Sequence, residues 1–211
     1  MSADFTELDA RLRDVVALSH SYPFLPQQSG TPASVLLLVG LREGSKLDEL
    51  EILITRRNEN LVTHKGQYAL PGGMEDHEDG AKGESATAIR AALRETEEEV
   101  GIPATSVEPI GLLPKLWTPS GFQITPVLGL LKAPIDQVVV VPNPGEIDLW
   151  FWCPLSRFRD QSSYSQESRS ITIEGTAHTV NVDVFQIDAH RIWGATGAIL
   201  KNFIGRWEKL G

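Results

Sequence analysis

Arg94-Glu95-Thr96-Glu97-Glu98-Glu99-Val100-Gly101-Ile102 sets carboxylates at 95, 98 and 99 inside a segment that reads as helix. Offsets of i, i+3 and i+4 place all three on one helical face, where like charges repel. A hard divalent cation such as Mg²⁺ turns that repulsion into a binding site, although an ordinary solvated acidic face carries the same pattern. Ile89, Leu93, Thr96 and Val100 form a mostly apolar stripe on another face. Glu84 and Ser85 suit the start of this helix and Gly101 its end. Arg94 can pair with Glu98 one turn on, or with Glu97.

Upstream lies Leu70-Pro71-Gly72-Gly73, a tight turn whose backbone can approach a ligand closely. A glycine turn followed by a helix bearing Arg-Glu-x-x-Glu-Glu-x-Gly resembles the signature of the Nudix hydrolases. That signature runs Gly, five residues, Glu, seven residues, then Arg-Glu-aliphatic-x-Glu-Glu-x-Gly-aliphatic. The second half matches here except at Thr96, which stands at the aliphatic position. The first half departs from it. Counting back from Arg94 puts the glycine on Gly80 but Ala86 at the glutamate position. From Gly73 to Arg94 there are 21 steps, against 14 in the signature, so the loop holds seven extra residues. They read as an enlarged acidic loop, Glu75-Asp76-His77-Glu78-Asp79-Gly80, with Glu84 as a substitute for the missing glutamate.

The chain of 211 residues has 41% hydrophobic and 22% charged residues, the composition of a globular protein with one large domain or one domain with extensions. Its longest apolar run, Val35 to Leu41, is of strand length, so no membrane partner is expected. Met1-Ser2-Ala3-Asp4 lacks the basic start and apolar core of a signal peptide, and Cys153 is the single cysteine, which points to the cytoplasm. A net charge of −9 argues against nucleic acid as a partner. The histidines His20, His64, His77, His178 and His190 show no metal-binding spacing, and Ser120 lacks the context of a nucleophile.

Phe5, Leu8, Leu12, Val15 and Val16 predict a helix over Asp4–Ser19, followed by a Pro- and Gly-containing linker from Pro23 to Pro32. Strands are expected at Ser34–Leu41, Leu50–Arg56, Val107–Leu113, Phe122–Leu131, Val138–Val141 and Asp148–Cys153. A hairpin is expected from Ile171–Glu174 and Val180–Ile187, and a closing helix over Ile192–Leu210. The organisation is then an N-terminal helix and linker (residues 1–33) packed on a Nudix domain (34–211). Strands interspersed with helices give an α/β fold with a mixed β-sheet between helical layers. The resemblance implies the same α/β/α sandwich.

The stretch from Leu53 to Gly73 is similar to the extra motif of the coenzyme A pyrophosphatase branch. There Leu-Leu-Thr-x-Arg precedes Ser or Ala, then an arginine, then Gly and Phe-Pro-Gly-Gly. Thr55, Arg57, Gly66-Gln67 and Pro71-Gly72-Gly73 fall in register, while Asn58 replaces Ser or Ala, Val62 the arginine, and Leu70 the Phe. Thr118 to Val127, Asn143-Pro144-Gly145-Glu146-Ile147 and Ile192 to Thr196 match further branch segments. Val62 matters most, because a bidentate arginine on a phosphate is hard to replace. Arg56, Arg57 or Lys65 could compensate.

The resemblance implies cleavage of a pyrophosphate in coenzyme A or acyl-CoA, giving 3′,5′-phosphoadenosine and phosphopantetheine. It implies Mg²⁺ or Mn²⁺ held by Glu95, Glu98, Glu99 and the Gly73 carbonyl, with Arg94 orienting the glutamates. The general base is either Glu98 or Glu146, and Arg56, Arg57, Lys65, Gly66, Gln67 and Phe122 line the substrate. Trp117 and Phe122 are also placed to stack on an adenine or to pack in the core. Two alternatives stand beside this. Val62 and the enlarged loop favour another nucleoside diphosphate derivative, such as ADP-ribose, NADH or a nucleotide sugar. Ala86 and Thr96 favour a non-catalytic metal- or nucleotide-binding module, against which the three retained carboxylates argue. The N-terminal helix and Val138–Val141 could pair with a second copy of the chain as a homodimer.

Overall fold

Leu36, Leu37, Leu38 and Val39 follow one another in β1 (Thr31–Gly40), so successive side chains point to opposite faces and all are buried. The chain therefore needs cover on both sides of this strand. The computed structural model describes residues 3–18, 30–76, 80, 83–173 and 176–211. His20, His77 and most of the linker lie outside the described residues, and Thr31 and Pro32 belong to β1.

β1 runs parallel to β7 (Phe122–Leu131), in register from Thr31 opposite Phe122 to Val39 opposite Leu130. Its other edge is shared by two antiparallel partners, β2 (Glu51–Arg57) and β4 (Gly72–Met74). β2 continues to β3 (Tyr68–Ala69) and to β8 (Ile147–Pro154), while β7 takes β5 (Val107–Leu112) and β6 (Leu116–Trp117). The result is a mixed sheet. On one face, Ala92 and Val100 of α2 (Glu84–Val100) pack on Leu36, Leu38, Leu53 and Val127. On the other, α1 (Ala3–Ala17) and α4 (Gly194–Lys209) pack on Leu37, Val39, Ile54 and Leu128. This is the expected α/β/α sandwich.

α3 (Leu155–Arg159) leads from β8 to a second sheet of β9 (Tyr164–Ile173), β10 (Thr176–Ile187) and β11 (His190–Trp193). Phe185, Ile187 and Ile192 of that sheet join the core under α1 and α4. Cys153 is buried there, and burial pushes its thiol up to about 12, the behaviour of core filler rather than of a nucleophile. Among the described residues no helix is long and apolar enough to cross a membrane.

Leu8, Leu12 and Val15 hold α1 to the domain, and Arg206 of α4 secures its end. The buried Arg206 guanidinium donates to the carbonyls of Val15, at 2.9 Å, and Leu18, which a helix terminus otherwise leaves without partners. Arg206→Ala should cost about 2–3 kcal/mol, since it strands the buried Val15 carbonyl and the half-buried Leu18 carbonyl, which had a charged donor. The midpoint of urea unfolding checks this.

Three elements differ from the sequence reading. Val138–Val141 forms no strand. Val141 N–H donates to the Val100 carbonyl and Asn143 N–H to that of Glu99, so the run caps the end of α2 instead of joining the sheet. Val139 and Val141 are left 74% and 63% exposed. The β9–β10 hairpin is longer than expected because polar residues such as Ser168 and Asn181, hydrogen-bonded across the strands, extend it beyond the apolar signal. The last helix begins at Gly194, whose φ of 68° marks the end of β11.

Candidate active site

α2 lies against the Pro71–Gly73 turn, and this contact assembles the site. Gly73 sits where an added Cβ would fall 2.5 Å from the Glu95 carboxyl carbon, so only glycine lets that carboxylate lie against the strand. Gly72 N–H donates to Glu99 Oε2 at 3.1 Å. Arg57, at the end of β2, reaches Glu99 Oε1 at 3.3 Å. Glu99 is nearly fully buried, and burial pushes its carboxyl up to about 8, against the opposing pull of the Gly72 hydrogen bond and Arg57. Burial also raises Glu95, against its bond to Arg94.

Arg94 donates to Glu95 at 2.8 Å, to Glu98 at 3.3 Å and to the Met74 carbonyl at 3.2 Å. It thus spans two of the three carboxylates. Glu97, the other partner proposed for it, accepts from Ala104 N–H at 3.1 Å beyond the helix end. Glu98 is more than half exposed on the open side of the face. Thr96, in the aliphatic position, is buried and donates to the Ala92 carbonyl at 2.7 Å, so it packs without an unsatisfied hydroxyl.

Glu146 comes from the 143–147 loop, and its charge acts on both Glu95 and Glu99, which brings it within electrostatic range of the face. Gly66 N–H donates to the Arg57 carbonyl and Arg57 N–H to the Gln67 carbonyl, so Gly66 and Gln67 close the hairpin around Arg57. Lys65 is exposed on that loop. Phe122 begins β7, three positions along from the Thr125–Ser34–Gly73 register.

The remaining residues are placed as follows. Arg56 makes a two-bond pair with Asp148, at 2.7 and 2.9 Å, while its neighbour Arg57 reaches Glu99. Glu84 does not substitute for the missing glutamate. It pairs with Lys115 and lies 11 residues before Glu95, about 16 Å along the helix. The start of the acidic loop does reach the site: Asp76 lies 3.6 Å from Arg94, and Glu75 accepts from Ser34 Oγ at 2.7 Å. The pairing of Arg57 with Glu99 escaped the sequence reading, which had only the motif register to go on.

The donor set is all oxygen, which suits a hard divalent ion. Among the described residues no three of these side chains converge as a ready-made ligand cluster, because Arg94 lies between Glu95 and Glu98 while Glu99 turns to Gly72 and Arg57. A divalent ion would attract the paired carboxylates with twice the charge of the guanidinium that now links them.

A mixed sheet between helical layers, with an acidic helix face closed against a glycine turn, defines the Nudix class of enzyme. The chain belongs to the Nudix hydrolase family, since the family model described as NUDIX domain matches residues 31–172. The chain is similar to "Uncharacterized Nudix hydrolase NudL" of Yersinia enterocolitica, 37% identical over 153 residues covering 72% of each chain. The protein of the same name in Yersinia pestis is 35% identical over 185 residues, 88% of this chain and 83% of the relative. A crystal structure of a NUDIX hydrolase from Alicyclobacillus acidocaldarius shares the fold at 18% identity, with a TM-score of 0.50 over 85% of this chain and 93% of that one. Nudix hydrolases use divalent metal ions and hydrolyse nucleoside diphosphate derivatives.

Proposed function

We propose that this chain hydrolyses the pyrophosphate of coenzyme A or an acyl-CoA. The observation that carries the reading is the contact between two motifs distant in sequence. Arg57, in the register of the coenzyme A branch motif, meets Glu99 of the Nudix helix. Glu95, Glu98, Glu99 and the Gly73 carbonyl would hold Mg²⁺ or Mn²⁺, which supplies charge neutralisation on the phosphates and lowers the pKa of the attacking water. Arg94 orients Glu95 and Glu98 by charge-assisted hydrogen bonds. Arg57 and Gly72 fix Glu99. Glu98, on the open side, or Glu146, whose charge acts on Glu95 and Glu99 from the 143–147 loop, takes the proton of water. Gly66, Gln67, Lys65 and Phe122 bound the substrate side.

A second reading rests on Val62, which is 99% exposed, with no guanidinium at the position where the branch has arginine. With Arg56 tied to Asp148 and Arg57 to Glu99, phosphate recognition on this side then falls first to the exposed Lys65. This favours a substrate without the extra 3′-phosphate of coenzyme A, such as ADP-ribose, NADH or a nucleotide sugar. One mass-spectrometric assay decides. Coenzyme A, ADP-ribose, NADH and nucleotide sugars are offered with Mg²⁺ or Mn²⁺, and EDTA serves as control. Preferred, EDTA-sensitive loss of coenzyme A is expected, and preferred loss of another compound replaces the first reading by the second.

A further inference from the structure

Glu146 lies on a loop remote in sequence from Glu95 and Glu99, on both of which its charge acts, so something must hold that loop in place. The segment 143–147 is a tight turn: Glu146 and Ile147 N–H both donate to the Asn143 carbonyl, and Gly145 N–H donates to Asn143 Oδ1 at 3.0 Å. Asn143 N–H ties one end of it to the Glu99 carbonyl at 2.8 Å. The other side is held from the end of β2, where Arg57 is paired with Ile147 and the next residue reaches further into the turn. Asn58 N–H donates to the Glu146 carbonyl at 2.7 Å, and Asn58 Nδ2 donates to the Pro144 carbonyl at 2.7 Å. Its Oδ1 accepts from Asn60 N–H at 2.8 Å, which fixes the amide orientation and bends the hairpin away. Asn58 therefore directly follows Arg57, which grips Glu99, and itself grips the loop that carries Glu146.

We infer that Asn58 is a positioning residue, whose side-chain amide sets the 143–147 loop so that Glu146 faces the Glu95–Glu99 surface. The coenzyme A branch pattern has Ser or Ala at this position. Alanine can make neither side-chain bond, and serine offers a single, shorter-reaching oxygen in place of the amide's separate donor and acceptor. The clamp is thus a feature of this chain's own sequence. Two backbone links, from Asn143 to Glu99 and from Asn58 to Glu146, survive removal of the side chain, so the loop loosens without being lost.

The inference rests on Glu146 acting in the reaction, and the test separates the two. Asn58→Ala, Glu146→Gln and the double variant are assayed with the substrate that the assay above identifies, and Asn58→Ser serves as a second variant of similar fold stability. The expected result is a fall in kcat of about tenfold to a hundredfold for Asn58→Ala, the scale set by displacing a reacting group by an ångström. KM should stay within about twofold and the melting temperature near that of the wild type. Glu146→Gln should cost at least as much, and adding Asn58→Ala to it should cost nothing further. If Glu146→Gln is costly while Asn58→Ala is harmless, or multiplies the loss in the double variant, the Asn58 inference is overturned and the Glu146 role stands. If Glu146→Gln is itself harmless, the Glu146 role fails, and the inference with it.

Discussion

Glu98→Gln should lower turnover by roughly 10²–10⁴-fold with no loss of folding, the range expected when a general base or a metal-binding carboxylate is neutralised. The substitution keeps size and shape and removes only charge. Glu98 is more than half exposed, and its contacts run to Arg94, itself held by Glu95 and the Met74 carbonyl. Stability should therefore stay within about 0.5 kcal/mol of wild type, as for most surface changes. Steady-state kinetics at saturating Mg²⁺ and again at saturating Mn²⁺ separate the two roles. A ligand defect shrinks as metal concentration rises, whereas a missing base is indifferent to it. A variant within about tenfold of wild type at all metal concentrations would remove Glu98 from the mechanism and leave Glu146 as the base.

The acidic helix was legible because everything it needs is local. The i, i+3, i+4 carboxylates, the apolar stripe and Gly101 in the left-handed conformation all sit within one segment. The sandwich was legible for a related reason: β1 is apolar on both faces and can only be a central strand. What failed depended on partners far along the chain. Val138–Val141 has the β-branched composition of a strand, but Val141 N–H donates to a helix-end carbonyl, and no local pattern distinguishes this from a sheet edge. Arg56 and Arg57 are adjacent and chemically alike, yet they diverge to Asp148 and Glu99. Only the pairing of β2, with its irregularity between these two residues, decides which arginine faces the helix. Asn58 stood out as a departure from the branch pattern, but its contacts with Pro144 and Glu146 span more than eighty residues.

Gly73→Ala should cost about 10²-fold in turnover while the protein still folds, and Gly72→Ala should do the reverse. The two glycines are adjacent, so the contrast isolates what each Cβ would meet. At Gly72, whose φ is 152°, the methyl group overlaps the Ser34 carbonyl oxygen and the Val35 Cα, which are backbone atoms of the central strand and cannot move aside. That clash should destabilise the domain by about 1–3 kcal/mol or more before any effect on chemistry, as overpacking does. At Gly73 the atoms nearest the methyl group all belong to the Glu95 carboxylate, the far end of a flexible side chain, which can swing away. Folding should then be nearly unaffected, because the relief is a rotamer change. The carboxylate, however, leaves the position set by Arg94 and the strand, and an ångström of misplacement is worth about a hundredfold. Thermal melting and kinetics on the same two variants read both effects. A Gly73→Ala enzyme with wild-type turnover would mean that Glu95 need not lie against the Pro-Gly-Gly turn, and the metal-ligand set would have to be redrawn around Glu98, Glu99 and Asp76.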